Sequence, residues 1–370
     1  MDRRETERIL HAIGEARRSG ERVAIAMVVR VKGSAYRREG TRILVRQDGT
    51  YECLLSGGCL EPAVADAAAR VIATGDPAIV SYDLEEDSIW GLGIGCSGAV
   101  DIRIERLEDD PLTVAWLDLL AQGAAGVLIT PLSGATGRLL VGEAGKILGS
   151  FDVPSLEAAA VTAARDRLSG PHPHAGPETI GGAELFFEIS LPPPRLIVFG
   201  AGHDAAPLAA QAWALGFAVT VVDVREAFLA RERFPHATLV AAHFSRFPDV
   251  LALDARSFVV VMNHHLERDR ESLRFALASD APYIGLLGPR SRYRKLISAL
   301  RADGHEPDGA ALARVRSPIG LAVGAETPEE IALSILGEIV AIRRGFEGGF
   351  LSGREASLHV PADSRALARS

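Results

Sequence analysis

Residues 195–208, RLIVFGAGHDAAPL, put Gly200 and Gly202 between an apolar run and an Ala-rich one. Leu196 to Phe199 reads as a buried strand and Asp204 to about Leu215 as a helix, with Ala205 at the third position of a G-x-G-x-x-G/A turn. Val219 to Val222 forms a second strand ending at Asp223, 21 residues past Gly202. Bare glycines at a helix N-terminus suit a pyrophosphate, and an acid closing the next strand suits a ribose hydroxyl. Further outward, Thr238 to Ala242, Phe258 to Met262 and Tyr283 to Leu286 read as buried strands separated by helical segments. This alternation predicts a Rossmann-like, doubly wound parallel sheet over residues 195–345. Thr327 to Arg344 reads as a long packing helix, with Thr327 as N-cap and Pro328 at its first position. Two residues complicate the turn as a nucleotide seat. His203 adds bulk, and Asp204 brings an acid that either takes the anion's place or caps the helix. Arg225 leaves a 2′-phosphate open, so NAD(P), another nucleotide or no ligand all stand as alternatives.

Upstream, Leu191 to Pro194 carries three consecutive prolines and reads as a short stiff linker. Residues 1–190 before it read as a mixed α/β domain with its core at about 20–110. Ile9, Leu10 and Ile13 recur at helical spacing and suggest an N-terminal amphipathic helix closing near Gly20, and Val23 to Val31 reads as a strongly apolar strand. Arg42 to Arg46 and Tyr51 to Leu55 suggest a hairpin around Asp48 and Gly49. Glu61 to Ala73 suggests an Ala-rich helix. Ile79 to Tyr82, Val100 to Ile104, Val127 to Thr130, Gly137 to Val141 and Glu184 to Ile189 suggest strands. Residues 169–182, rich in Gly and Pro, read as a long loop or disordered insertion, and 346–370 as a tail.

The 370 residues carry 40 basic and 48 acidic side chains, a net charge of −8, and aromatics are 6%. That balance argues against a nucleic-acid or anionic-membrane partner. No apolar run approaches a membrane span, and Glu5, Thr6 and Glu7 follow Arg3 and Arg4 where a signal would have an apolar stretch, so a cytoplasmic location is expected. Three cysteines, with no CxxC pair or His/Cys cluster at zinc-finger spacing, argue against a disulfide framework and a zinc finger.

Three Gly-bearing loops in the first half concentrate the chemistry. Gly33 to Gly40 follows a strand and holds Ser34, Arg37 and Arg38. Backbone amides and arginines make an anion cradle there, unless the charges are simply solvated. Ser56-Gly57-Gly58-Cys59-Leu60-Glu61 runs from a strand into a helix, where the dipole favours a Cys59 thiolate. Gly91 to Gly98 holds Gly93, Gly95 and Cys96. Two cysteine-bearing Gly loops suggest one site for a soft metal or sulfur-containing ligand, and packed thiols are the plain alternative. In the second half, His264 and His265 follow a buried strand at the ligand-binding edge of such a sheet, and only one of two adjacent histidines can serve. Arg290 and Arg292 open a helix where they meet a ligand phosphate or remain solvated.

The three loops in this order, then FGAGH, then SPIGLAVGAETPEEIALSILGEI at 317–339, resemble the XdhC/CoxI family of accessory proteins of xanthine dehydrogenase and related molybdenum hydroxylases. The resemblance implies an XdhC/CoxI-type domain followed by a Rossmann-like one. It also implies a chaperone, without turnover of its own, that binds molybdenum cofactor (a molybdopterin). Such a chaperone supports sulfuration by a cysteine desulfurase and inserts the cofactor into the apo-hydroxylase. Arg37, Gly57, Gly58, Cys59 and Cys96 match the family's motifs, with Cys59 or Cys96 contacting molybdenum or relaying sulfur. Tyr36 stands where the family usually has Pro, and Ser97 where it has Gly. A xanthine dehydrogenase, aldehyde oxidoreductase or CO dehydrogenase client remains open, as does a homodimer. An NAD(P)-dependent oxidoreductase or a nucleotide sensor is the alternative, although no Tyr-x-x-x-Lys pair is present.

Overall fold

The computed structural model describes residues 3–33, 35–84, 98–143, 145–170 and 173–352, and the chain divides into two compact units between Pro192 and Pro193. The first unit starts with helix α1 (Arg3–Ser19), then strands β1 (Val23–Gly33), β2 (Arg42–Arg46) and β3 (Tyr51–Glu52), helix α2 (Glu61–Thr74), and strands β4 (Ala78–Asp83) and β5 (Gly98–Arg106). These strands form an antiparallel sheet ordered β3-β2-β1-β5-β4. The hairpin's second strand stops at Glu52, short of the expected Leu55, because Cys53 adopts a left-handed φ of 73° that breaks the extended run.

Next come helix α3 (Pro111–Gln122), strands β6 (Gly126–Ser133), β7 (Gly137–Gly142) and β8 (Ile147–Phe151), helix α4 (Pro154–Ser169), and strands β9 (Gly176–Ile180) and β10 (Ala183–Ser190). They build a second sheet ordered β8-β7-β6-β10-β9. The stretch read as a loose insertion is therefore partly ordered: β9 pairs antiparallel with β10 across Gly181 and Gly182. Both glycines take positive φ, 58° and 85°, as a tight two-residue hairpin requires. Pro177 is tolerated because β9 is an edge strand.

β1 reads as a nearly continuous apolar run because both of its faces are covered. Ala24, Ala26 and Val28 enter the core shared with Ile9 and Ile13 of α1 and Val64 and Ala68 of α2. Met27 and Val29 pack on Phe186 of β10. Arg42 of β2 pairs with Glu188 of β10, both about nine-tenths buried, and Trp116 Nε1 of α3 donates to Glu188 at 3.2 Å. Burial pushes the Glu188 carboxyl above its ordinary range, with Arg42 opposing.

The second unit contains β11 (Arg195–Phe199), α5 (Ala205–Ala214), β12 (Ala218–Asp223), β13 (Thr238–Ala241), α6 (Phe247–Val250) and β14 (Ser257–Val261). It continues with α7 (Leu266–Leu277), β15 (Tyr283–Leu286), α8 (Arg290–Ala302), α9 (Gly309–Ala313), β16 (Val315–Arg316) and α10 (Pro328–Arg344). All pairings are parallel, in the order β13-β12-β11-β14-β15-β16. One face packs under α5 and α10 and the other under α7 and α8. This is the Rossmann arrangement, with its switch point between β11 and β14. The α10 start is a capping box of Thr327 and Glu330. Of the expected tail, residues 353–370 lie outside the described residues.

Candidate functional site

In the first unit, two of the three Gly-bearing loops meet. A cavity of about 340 Å³ is lined by Ala35, Tyr36 and Arg37 of the first loop and by Ser56, Gly57, Cys59 and Leu60 of the second. Val28, Leu55, Leu84 and Val100 complete an apolar wall. Leu84 and Val100 flank the third loop in sequence. Gly93, Gly95, Cys96 and Ser97 of that loop, and Ser34 of the first, lie outside the described residues.

The second loop is built around Ser56 and Glu61. Glu61 is fully buried at the start of α2 and accepts the Leu55 amide at 2.8 Å, the Ser56 amide at 2.7 Å and the Ser56 hydroxyl at 2.6 Å. Ser56 Oγ in turn accepts the amides of Gly58, Cys59 and Leu60 at 3.1–3.2 Å. The Cys59 thiol donates to the same oxygen at 3.4 Å. Burial works against the Glu61 charge, yet the Ser56 and Leu55 donors hold its carboxyl below the usual range. Ser56 and Glu61 thus occupy the donors at the head of α2 and fix the thiol at the cavity wall. Gly58 has φ of 107°, which its neighbours on the wall do not share.

Arg37 lines the cavity, but its guanidinium is paired with Glu5 of α1. Arg38 faces Glu39 at 3.3 Å, and Glu39 Oε1 accepts the Val31 amide at 3.1 Å. The first loop is a braced element that presents one arginine already balanced by a carboxylate. Sequence reading missed the apolar wall and the Glu5 partner. Nothing in a lone Glu on a helix announces which loop it will meet.

In the second unit, the glycine turn is occupied by the chain's own groups. A methyl on Gly200 would stand 2.5 Å from Met262 O, so the end of β14 needs the bare glycine. Asp223 is nearly fully buried and accepts the Ala201 amide at 2.8 Å and the Arg225 amide at 2.9 Å. The Arg225 guanidinium grips the same carboxylate at 3.0 and 2.7 Å and stacks on Phe228. Burial opposes the Asp223 charge, but Arg225 and the amides keep its carboxyl below the ordinary range. Asp223 therefore serves the turn and Arg225, where the sequence suggested a ribose hydroxyl and a 2′-phosphate.

Asp204 does not cap the helix with its side chain, and its Oδ2 meets His264 Nε2 at 2.7 Å. His264 holds a left-handed φ of 56° and His203 is exposed. Asp269, nearly fully buried, accepts the Asn263 amide at 3.0 Å and Arg292 Nε at 2.9 Å, which fixes the loop before His264. Arg290 donates to Ser317 O at 2.9 Å. His264 thus joins the glycine turn, while Arg290 and Arg292 are spent on the scaffold. No group of three or more His, Cys, Asp or Glu side chains among the described residues is placed to hold a metal ion. No helix among them is long and apolar enough to cross a membrane.

A C-terminal domain of this architecture preceded by a thiol-lined cavity narrows the class of protein, and comparison with known proteins fixes it. Residues 16–83 match the XdhC and CoxI family, and residues 196–339 match the XdhC Rossmann domain. A Bacillus subtilis protein described as a probable xanthine dehydrogenase subunit is 33% identical over 336 residues, covering 88% of this chain and 94% of that one. The chain belongs to the XdhC and CoxI family. The molybdenum cofactor insertion chaperone PaoD of Escherichia coli is 24% identical over 336 residues, covering 90% of this chain and 88% of its own. A crystal structure from Bacillus halodurans, described as a xanthine dehydrogenase, superposes with a TM-score of 0.74 at 28% identity, over 93% of this chain and 98% of that one.

Proposed function

We propose that this protein is a maturation factor that binds molybdenum cofactor as cargo and inserts it into a molybdenum hydroxylase. The carrying observation is the cavity where Arg37, Gly57 and Cys59 come together. Its donor set fits the cargo: a thiol for a soft metal or its sulfur, an arginine for a phosphate, and an apolar wall for a ring system. Its volume, about 340 Å³, lies at the small end of ordinary ligand pockets. The names of the Bacillus subtilis and Escherichia coli relatives support the same reading.

In this reading Cys59 or Cys96 contacts the metal or relays sulfur. A cysteine desulfurase supplies that sulfur, and the client is of the xanthine dehydrogenase, aldehyde oxidoreductase or CO dehydrogenase type. The protein acts in the cytoplasm. In this reading the second unit supports the handover, with Asp204 held by His264 and Asp223 by the Ala201 amide at the glycine turn.

The test is an anaerobic titration with isolated molybdenum cofactor, NAD and NADP, in wild type and in Cys59→Ser with Cys96→Ser. Cofactor binding that weakens in the double variant is the expected result. Binding of NAD(P) alone, indifferent to the substitutions, overturns the proposal.

A further inference from the structure

The first unit holds a second cavity, of about 220 Å³, whose described lining shares no residue with the one beside Cys59. Ile9 and Ile13 of α1, Trp116 and Leu120 of α3 and Leu128 of β6 give it an apolar wall. Folded interiors are close-packed and keep few voids larger than a water molecule. This one exceeds the roughly 150 Å³ of an apolar cavity that takes up benzene.

One end of the cavity is polar and deeply buried. Arg42 and Glu188 line it and pair with each other, each side chain only 8% exposed. Glu188 Oε1 also accepts Trp116 Nε1 at 3.2 Å, so the carboxylate is served from two elements. Arg42 is not served in the same way: its Nε is buried and has no hydrogen-bond partner. A buried donor left without an acceptor costs free energy, and such groups are rare in folded proteins. The acceptor that completes Arg42 therefore comes from outside the chain.

The charges around the cavity narrow what can bring it. Arg138 donates to Asp110 at 2.8 Å, and Arg106 pairs with Glu108. Each arginine of the described lining thus has its carboxylate, and Glu105 adds a fourth acid to Asp110, Glu108 and Glu188. An incoming anion would meet these acids with the arginines already engaged. An incoming cation would bring no acceptor for Arg42 Nε. What fits is an uncharged group with a carbonyl-type oxygen, carried on an apolar body that covers the wall.

We propose that this cavity binds a small uncharged molecule of the amide or lactam class, with a compact ring as its apolar body and its carbonyl oxygen accepting from Arg42 Nε. The site lies apart from the cargo cavity, so it stands or falls independently of the proposed function.

The experiment titrates the full chain with four probes of one shape, benzamide, benzoate, benzylamine and toluene, by ligand-observed NMR and thermal shift. Benzamide is expected to bind and raise the thermal midpoint. Toluene should bind about tenfold more weakly, for want of the hydrogen bond, and benzoate and benzylamine more weakly still. Arg42→Met with Glu188→Leu, which exchanges the pair for apolar groups together, should bring benzamide down to the level of toluene. Leu10→Trp, at a half-buried position of the lining, should exclude both. Failure of benzamide to bind wild type, as when water alone fills the cavity, overturns the proposal. So does benzoate binding as well as benzamide, or benzamide binding unchanged in both variants.

Discussion

Asp204 folds its carboxylate back over Gly202, so that a methyl on Gly202 would stand 2.6 Å from Asp204 Oδ1. A negative charge of the chain's own thus stands at the glycine turn, held there by His264. We expect Asp204→Ser to gain affinity for NAD by tenfold or more, since it removes that charge and frees the head of α5. Calorimetric titration of both proteins checks this. Equal weakness in the two would mean that something other than Asp204 closes the turn.

Glu61 makes the second loop sensitive to acid. Its carboxyl titrates lower in the folded chain than in the unfolded one, so its contribution to stability is complete above an unfolded value of about 4.3. The contribution drains away as pH falls through the folded value. Glu61→Gln lacks that dependence, so thermal midpoints measured from pH 7 to pH 3 should fall less steeply for it. At pH 7 it should be the less stable protein, by roughly 1–3 kcal/mol, because a neutral amide accepts the Ser56 and Leu55 donors less strongly.

The buried Arg42–Glu188 pair ties the two sheets of the first unit together. Glu188→Leu alone leaves Arg42 buried without its counter-charge and should cost about 3–5 kcal/mol in urea unfolding. Adding Arg42→Met should restore most of that loss. A double variant as unstable as the single one would show that the loss lies in packing around Trp116 and not in the orphaned charge.

Two glycines give opposite expectations. Gly200→Ala drives a methyl to within 2.5 Å of Met262 O and 2.8 Å of Asn263 Cα at a φ of 113°, so a loss of at least about 2 kcal/mol is expected. Gly57→Ala meets nothing within 4 Å among the described residues and should leave the unfolding transition in place. Differential scanning of both variants separates a glycine needed by the fold from one kept for another reason.

The second unit was legible because strands buried on both faces are written as unbroken apolar runs, as in Phe258 to Val261, and because Gly200 and Gly202 punctuate the first of them. The Gly181–Gly182 hairpin carried its own signal, two adjacent glycines flanked by extended residues, but the Pro-rich stretch before it concealed β9. The cavity was only half legible. Cys59 and Gly57 stand out in sequence, whereas Val28, Leu84 and Val100 look like any core residues until the sheet brings them to one wall. Asp223 shows the same limit. Its position at the end of β12 is readable, but its capture by Arg225, two residues on, depends on a side-chain geometry that spacing does not encode.

The pairing of Arg37 with Glu5 gives the first helix a part in any loading event. An anion that takes Arg37 must take it from Glu5, so arrival is an exchange of partners and not a simple addition. Competition of this kind makes occupancy steeply dependent on the charge of the incoming group, and it carries the news of occupancy away from the cavity to the opening turn of α1. Under the proposed function, the Arg37–Glu5 pair is thus the contact that loading has to break.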